Sequence, residues 1–582
     1  TLLHMLAQIQ DLKVAARTSS FAFKGRQDDI REIANALDVA HVLEGSVQRS
    51  GNRVRVTAQL IRADDGFHVW SENYDRTLDD IFAIQDEIAT HVGEALSASL
   101  LGHRAPAVIV GVGTENLDAY DNYLRASAEQ LKGSYGSLKV AEGLLKDALA
   151  LDPDFLDAKS LLAYVLADQW QTGLTDEMSG LDTSIRLLEQ VLAKRPDDVR
   201  ATTLLYRAEI YRDLFLNRVA TMKDTIDLLT EFARQHPTDV ETVMTAATMV
   251  QQLGGDAEER LRLVQGIVHV DPLNPAVHYE LAQAYDANER YEDARVAAQR
   301  SLELEPQQPN VHTLIGRTHR SQGDIVGWLG GFLKAMEIDP KDHELPGEVA
   351  QVLYALELPE QADRFRERVL AIAPSSPAAY LVDVLHYEAH GDLENARHAA
   401  RRAIEDDIDN RQEAYEESVA FLVRDAIAHG SAAEALAYLE KSIPSLAEFD
   451  APAESLKTQV ARFEVMPVWQ VTLPEEEWKR RFRANFEVAR QFGFDDEEVS
   501  FASVIVRIID GDIEAATDMM ARALDEDPVA ASLRWDVSFA FPMFADVVDD
   551  PRVRAGIDKY RQDEDALRED VRGFLQSQGS RT

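Results

Sequence analysis

Two imidazoles four residues apart, in His386-Tyr387-Glu388-Ala389-His390, carry the sharpest chemical signal in this 582-residue chain. On a helix that spacing puts both rings on one face, where they can hold zinc. The order is not the HExxH of metalloproteases, and the neighbouring sequence offers no third ligand. Tyr387 falls where a packing aromatic is needed, so His386 and His390 read as flanking surface residues. No metal and no cofactor is assigned.

The remaining constellations are weaker. Gly111-Val112-Gly113 lacks the strand and the Lys-Ser/Thr pattern of a phosphate loop, and Ala105 to Gly113 reads as an interdomain linker. Ser46 follows Gly45 without the strand-turn-helix elbow that a nucleophile requires. Asp79-Asp80 reads as a helix start and Asp406-Asp407 as a solvated face. Arg53 and Arg55, with Arg49 and Arg62 nearby, have two readings. They form a modest basic face that touches a partner or the rest of the chain, or they are the outward side of an amphipathic strand. Lys479-Arg480-Arg481 and Arg483, after three glutamates, suit a helix with its dipole complemented. Catalytic residues are therefore expected to be none.

Composition narrows the classes further. The absence of cysteine removes disulfides, zinc-thiolate sites and cysteine nucleophiles together. The net charge is −42, from 60 basic and 102 acidic side chains, and residues 1–104 hold only −4 of it (11 Lys/Arg against 15 Asp/Glu). So acidic a surface repels phosphate backbones and anionic lipid, which argues against direct nucleic-acid binding. No run approaches the ~20 apolar residues of a membrane helix. Thr1-Leu2-Leu3-His4-Met5-Leu6 has no positive region ahead of it and reads as the second half of an amphipathic helix. The expectation is a chain that begins inside a larger protein.

Proline reveals the elements that position these residues. Pro272, Pro306, Pro340 and Pro374 are each 34 residues apart, and a further 34 lead to Ile408. Pro153, Pro196 and Pro237 precede them at spacings of 43 and 41. Small residues sit at helical spacing before them: Ala294, Ala298 and Ser301 before Pro306, and Ala396, Ala400 and Ala403 before Ile408. Gly323-Asp324, Gly391-Asp392 and Gly511-Asp512 supply a helix C-cap followed by an N-cap residue. From about Glu115 to Pro551 the chain resembles the tetratricopeptide-repeat family, whose 34-residue unit is a pair of antiparallel helices. The resemblance implies an α-solenoid with a concave face that takes peptides or proteins. His278 and His312 stand where the family's first helix has its aromatic, and Trp328 stands where a small residue is expected. The slots used elsewhere to clamp a C-terminal carboxylate hold Tyr279, Gln283, Thr313 and Arg317, so that clamp is not reproduced. These residues, with His278 and His312, are candidate partner contacts.

Residues 1–104 follow another pattern. Lys13 to Ala16 is expected as a strand, Asp28 to Leu37 as a helix, and Val42 to Gln48 as a strand turning at Gly51-Asn52. Arg53 to Leu60 alternates with Val54, Val56, Ala58 and Leu60 inward, and Asp65-Gly66 leads into Phe67 to Tyr74. A helix from Asp79 carries Ile81, Phe82, Ile84, Ile88, Val92 and Leu96. The runs Val14 to Gly25, Val42-Leu43-Glu44-Gly45-Ser46-Val47, Arg53 to Leu60, His68-Val69-Trp70-Ser71-Glu72 and Ile81 to Ile88 resemble the TolB-like (FlgO-type) domain. In bacterial signalling proteins that domain precedes tetratricopeptide repeats. An earlier strand of that family has no counterpart here.

The expected architecture is a mainly α superhelix behind a small α/β domain with a mixed sheet. Its expected parts are a truncated TolB-like domain (1–104), a linker (105–114), the repeat array (115–444), an irregular insertion with a helix (445–500), and a last repeat with capping helices (501–582). The expected function is a non-enzymatic protein-interaction and regulatory module of a bacterial signalling protein. Two alternatives are the accessory region of a membrane-anchored adenylate or guanylate cyclase and a stand-alone envelope scaffold. The TolB-like resemblance also implies an upstream output domain, either winged-helix and CadC-like or a cyclase. With a membrane helix between that domain and this chain the location would be periplasmic, and otherwise cytoplasmic.

Overall fold

The prolines mark helix ends. In a computed structural model, the second helices from Tyr135–Leu151 to Pro359–Ile372 each stop two to four residues before one of them, where a residue lacking an N–H and restricting its predecessor ends the helical ladder. The structure describes residues 14–77 (with breaks at 27–28 and 51–52), 87, 91, and 113–406 with breaks at 133, 172–177, 217 and 254–255. It also describes scattered positions between 418 and 438, and residues 474–491, 501–526 and 544–579. Two compact units divide the chain, Thr1–Pro306 and Gln307–Thr582.

The first unit opens with α1 (Arg17–Phe21) and α2 (Ile30–Leu37), then β1 (His41–Ser50), β2 (Arg53–Arg62) and β3 (His68–Thr77). Among the described residues the three strands form one antiparallel sheet in the order β1-β2-β3, not the expected mixed sheet. Val14–Ala16 is not a strand either. Ala16 N donates to Val270 O at 3.0 Å, and the chain turns directly into α1. Ser19 then caps the turn before the fifth hairpin of the array: its Oγ donates to Asp271 Oδ1 (2.5 Å) and accepts from Leu273 N (2.9 Å). Polar contacts to a turn 252 residues away therefore outweigh the short apolar run Val14-Ala15-Ala16. On β2, Val54, Ala58 and Leu60 are buried as the alternation requires, while a register shift at Leu60/Ile61 also turns Ile61 inward. Gly51-Asn52, the Ala105-to-Val112 part of the linker, the apolar stripe Ile81 to Leu96 and Met466-Pro467-Val468-Trp469 lie outside the described residues.

Five hairpins follow: α3 (Leu117–Gln130) with α4 (Tyr135–Leu151), α5 (Leu156–Gln171) with α6 (Met178–Lys194), and α7 (Val199–Phe215) with α8 (Val219–Gln235). Next come α9 (Val240–Leu253) with α10 (Ala257–Val268) and α11 (Pro275–Asp286) with α12 (Tyr291–Leu304). The second unit continues with α13 (Pro309–Ser321) and α14 (Ile325–Ile338), α15 (Glu344–Ala355) and α16 (Pro359–Ile372), and α17 (Pro377–Ala389) and α18 (Leu393–Asp406). It ends with α19 (Glu475–Gln491), α20 (Phe501–Ile509), α21 (Ile513–Glu526), α22 (Ala545–Val548) and α23 (Pro551–Gln578). In the first unit successive first helices touch, as α15 and α17 do in the second, so one face of the first unit's array is built from first helices.

The small residues read from the sequence are where helices meet: Ala294, Ala298, Ser301, Ala396, Ala400 and Ala403 are all fully buried. Gly323, Gly391 and Gly511 adopt φ of +78°, +74° and +80°, and the following aspartates accept backbone N–H bonds at the next helix start. Glu289 and Glu357 occupy the same left-handed place in their hairpins, at φ of 58° and 53°. A side chain there is strained, so Glu289→Gly is expected to raise the stability of its unit by up to about 1 kcal/mol in chemical denaturation.

Trp328 is fully buried on α14, packed on Phe332 at 4.8 Å between ring centroids. It fits because the glycines are elsewhere: a Cβ on Gly331 would lie 2.6 Å from His312 O, and one on Gly316 2.9 Å from Trp328 O. The long α23 folds back within its unit, placing Val571 and Leu575 in the core of α14 to α17. Arg568 Nε donates to Leu356 O at 2.9 Å. No helix among the described residues is long and apolar enough to cross a membrane.

Candidate functional site

The sequence-derived candidates fall into separate settings. Arg53 and Arg55 are exposed on β2, and Arg55 is paired with Asp75 on β3 at 2.7 Å. His278 is buried, its Nε2 donating to Pro272 O at 2.8 Å. Tyr279 and Gln283 belong to a network around Arg260, which is 1% exposed. Its Nε and Nη2 donate to Glu280 Oε1 at 2.8 and 2.7 Å, and Nη2 also reaches Gln251 (2.6 Å) and Gln283 (3.3 Å). Gln283 in turn donates to the Tyr279 hydroxyl at 3.1 Å. Burial pushes the Glu280 carboxyl up, while Arg260 opposes that shift. In the second unit, Thr313 Oγ1 donates to Asn310 O, His312 is half-buried, and Arg317 pairs with Glu348 at 3.2 Å.

Burial also pushes the His278 imidazole below its ordinary range, with the Pro272 carbonyl opposing. As pH falls through about 6.5 the unfolded chain takes up this proton before the folded one does. Stability is therefore lost over that fall until the lowered folded-state value is reached. His278→Gln keeps an amide donor without titrating. Its melting temperature is expected to fall less than the unmodified chain's between about pH 7 and pH 5.5.

A feature that motif reading missed lies on α5 and α7. The Arg207 guanidinium stacks over the Tyr164 ring at 4.3 Å, and its Nη2 donates to Tyr164 O at 3.4 Å. Arg207 Nε and the Tyr211 hydroxyl are buried with no hydrogen-bond partner among the described residues. Tyr211 packs on Trp170 at 5.2 Å, and burial pushes its pKa up to about 12. Burial raises the Asp168 carboxyl too, with Arg207 opposing. Arg200, two turns back on α7, pairs with Glu241 of α9 at 3.0 Å. Unfilled donors beside aromatic rings on a first-helix face suit a ligand that brings carbonyl or carboxylate oxygens. The available signal was positional: Tyr164, Arg207 and Tyr211 share the first-helix face, but nothing in their spacing pairs them.

The sequence offered no third ligand near the two histidines, and the fold supplies one. Asp363 of α16 lies against α17, its Oδ1 2.6 Å from His386 Nδ1 and its Oδ2 3.4 Å from His390 Nε2. Burial raises this carboxyl, but hydrogen bonds from Tyr354 and His386 outweigh it and hold the group below the usual carboxylate range.

The tetratricopeptide repeat family model matches residues 254–317, from α10 into α13, and the other hairpins share that helical-pair form. A curated protein named Putative adenylate cyclase 3, from Rhizobium meliloti strain 1021, is 36% identical over 178 residues. That alignment covers 30% of this chain and 30% of the relative, so the chain spans under a third of its length. Among solved structures, MamA is 19% identical, covering 31% of this chain and 93% of that one with a TM-score of 0.25. YrrB, described as a TPR protein with an unusual peptide-binding site, is 16% identical with the same coverage and a TM-score of 0.25. Tetratricopeptide repeats build protein-interaction modules, and this is the class that the fold defines.

Proposed function

We propose that this chain is a non-enzymatic binding and regulatory module of a bacterial signalling protein. It takes an extended peptide on the first-helix face of its first unit. The observation that carries the reading is the pair of buried, unfilled donors on α7, Arg207 Nε and the Tyr211 hydroxyl, beside Tyr164 and Trp170. The half-buried Tyr164 and Trp170 rings would cover a peptide's apolar groups, and its carbonyl or side-chain oxygens would reach the two donors once those rings part. Tyr279 and Gln283 would extend the face, and Arg53 and Arg55 would give a second contact on the hairpin. The likeness to a protein named for cyclase activity supports a narrower version, in which the module regulates a nucleotide cyclase. The domain boundaries at residues 104, 114, 444 and 500, the TolB-like assignment and the link to a CadC-like regulator remain part of this proposal.

Peptides selected from a random library on the purified chain test the face. Arg207→Ala is expected to weaken a selected peptide at least about tenfold, the loss of one charge-assisted hydrogen bond worth roughly 1.5–3 kcal/mol. Arg53→Ala with Arg55→Ala should weaken it less. Equal affinity for the Arg207 variant and the unmodified chain would remove the face from the account. The cyclase version predicts that adding the selected peptide changes cyclic-nucleotide synthesis by a longer protein that joins this module to its catalytic domain.

A further inference from the structure

We propose that Asp363, His386 and His390 form a binding site for a divalent transition cation of the zinc class. One ligand atom from each lies within 4.8 Å of the others, the one such group of three found among the described residues. Helical spacing places His386 and His390 one turn apart at the end of α17, and α16 brings Asp363 across to them.

The His390 tautomer is already the one that a metal needs. His390 Nδ1 lies 2.9 Å from His386 O, and a carbonyl can only accept, so Nδ1 carries the proton. Nε2 is then left as a lone pair facing Asp363 Oδ2 at 3.4 Å. Two acceptors facing each other repel unless a cation or an extra proton lies between them. Ligand atoms about 2.0–2.1 Å from a tetrahedral zinc are about 3.3 Å apart, close to the separation seen. His386 Nδ1, which donates to Asp363 Oδ1 at 2.6 Å, supplies the other nitrogen once its proton is carried by Nε2 instead, and that contact lengthens on ligation. Donation of the imidazole N–H to a backbone carbonyl is the usual way a zinc histidine is oriented.

The carboxylate is held as well. The Tyr354 hydroxyl donates to Asp363 Oδ1 at 2.7 Å. The nearby positive charge on Arg366 is matched by Asp383 at 2.7 Å. The His390 side chain is 41% exposed, which leaves a path for the ion and room for water as a fourth ligand. Two nitrogens and one oxygen favour zinc or a similar borderline cation over calcium or magnesium, which take oxygen donors.

The test is calorimetric titration of the full chain, stripped with chelator, with Zn2+ alone, repeated with Co2+ to read ligand-field bands. One site is expected, with the visible spectrum of four-coordinate Co2+ on nitrogen and oxygen donors. His390→Ala, at an exposed position, and Asp363→Asn, close to isosteric, should each weaken Zn2+ at least about tenfold. Exposed His398→Ala should leave it unchanged. Zn2+ should raise the melting temperature of the unmodified chain and not that of His390→Ala. Equal Zn2+ affinity in His390→Ala, Asp363→Asn and the unmodified chain would overturn the site, as would no Zn2+ binding at all. Either result would leave the cluster as a hydrogen-bonded histidine–aspartate pair.

Discussion

Glu280→Ala is expected to cost the first unit about 3–5 kcal/mol, the range for breaking one side of a buried ion pair. The carboxylate accepts two bonds from Arg260, and both side chains are almost fully buried. Without it the guanidinium keeps only Gln251 and Gln283 as acceptors. An uncompensated charge is then trapped between α10 and α11. Replacing both partners by methionine should cost far less, because no charge then remains in the apolar site. Urea denaturation followed by helical circular dichroism checks this, with the midpoint of the first unit's transition as the readout. Equal losses in Glu280→Ala and the double variant would mean that lost packing, not the stranded charge, sets the cost.

The second large effect lies at Gly331. Alanine is a better helix former than glycine by about 1 kcal/mol, so propensity alone predicts that Gly331→Ala stabilises α14. Space predicts the reverse. The added methyl would meet His312 O at 2.6 Å and Gly316 N and Cα at 2.8 Å, backbone atoms that no rotamer change can move. Separating α13 from α14 would also loosen Trp328 and Phe332, so overpacking should win, with a net loss of about 1–3 kcal/mol. Gly143, exposed within α4 with nothing near its Cβ position, is the matched comparison. Gly143→Ala should gain about 0.5–1 kcal/mol. Opposite signs at two helical glycines would separate close helix approach from propensity.

The repeats were legible because their signals are local. Proline spacing, the Gly-Asp turns and the buried small residues before Pro306 and Ile408 all act within one hairpin, and each was found where the period put it. The hairpin strands were legible from alternation on Arg53 to Leu60. What escaped was long-range. Arg260 is one of many arginines until the fold sets Glu280 beside it. Asp363 is an ordinary surface aspartate until α16 meets α17. Nothing in the sequence of α23 says that Val571 and Leu575 close the core under α14 to α17. The strand expected at Lys13 to Ala16 failed for a related reason, because Ser19 finds Asp271, which lies 252 residues away. Trp328 looked like a departure from the repeat, yet Gly316 and Gly331 show the volume exchanged between facing helices.

The central claim is that the first-helix face of the first unit is where this module binds. Hydrogen exchange of the full chain, free and saturated with a library-selected peptide, tests it most directly. The account predicts slower exchange across α5, α7 and α9, with α6 and α8 little changed and the effect lost in Arg207→Ala. Protection confined to the second helices, or to the β1–β3 sheet, would contradict it.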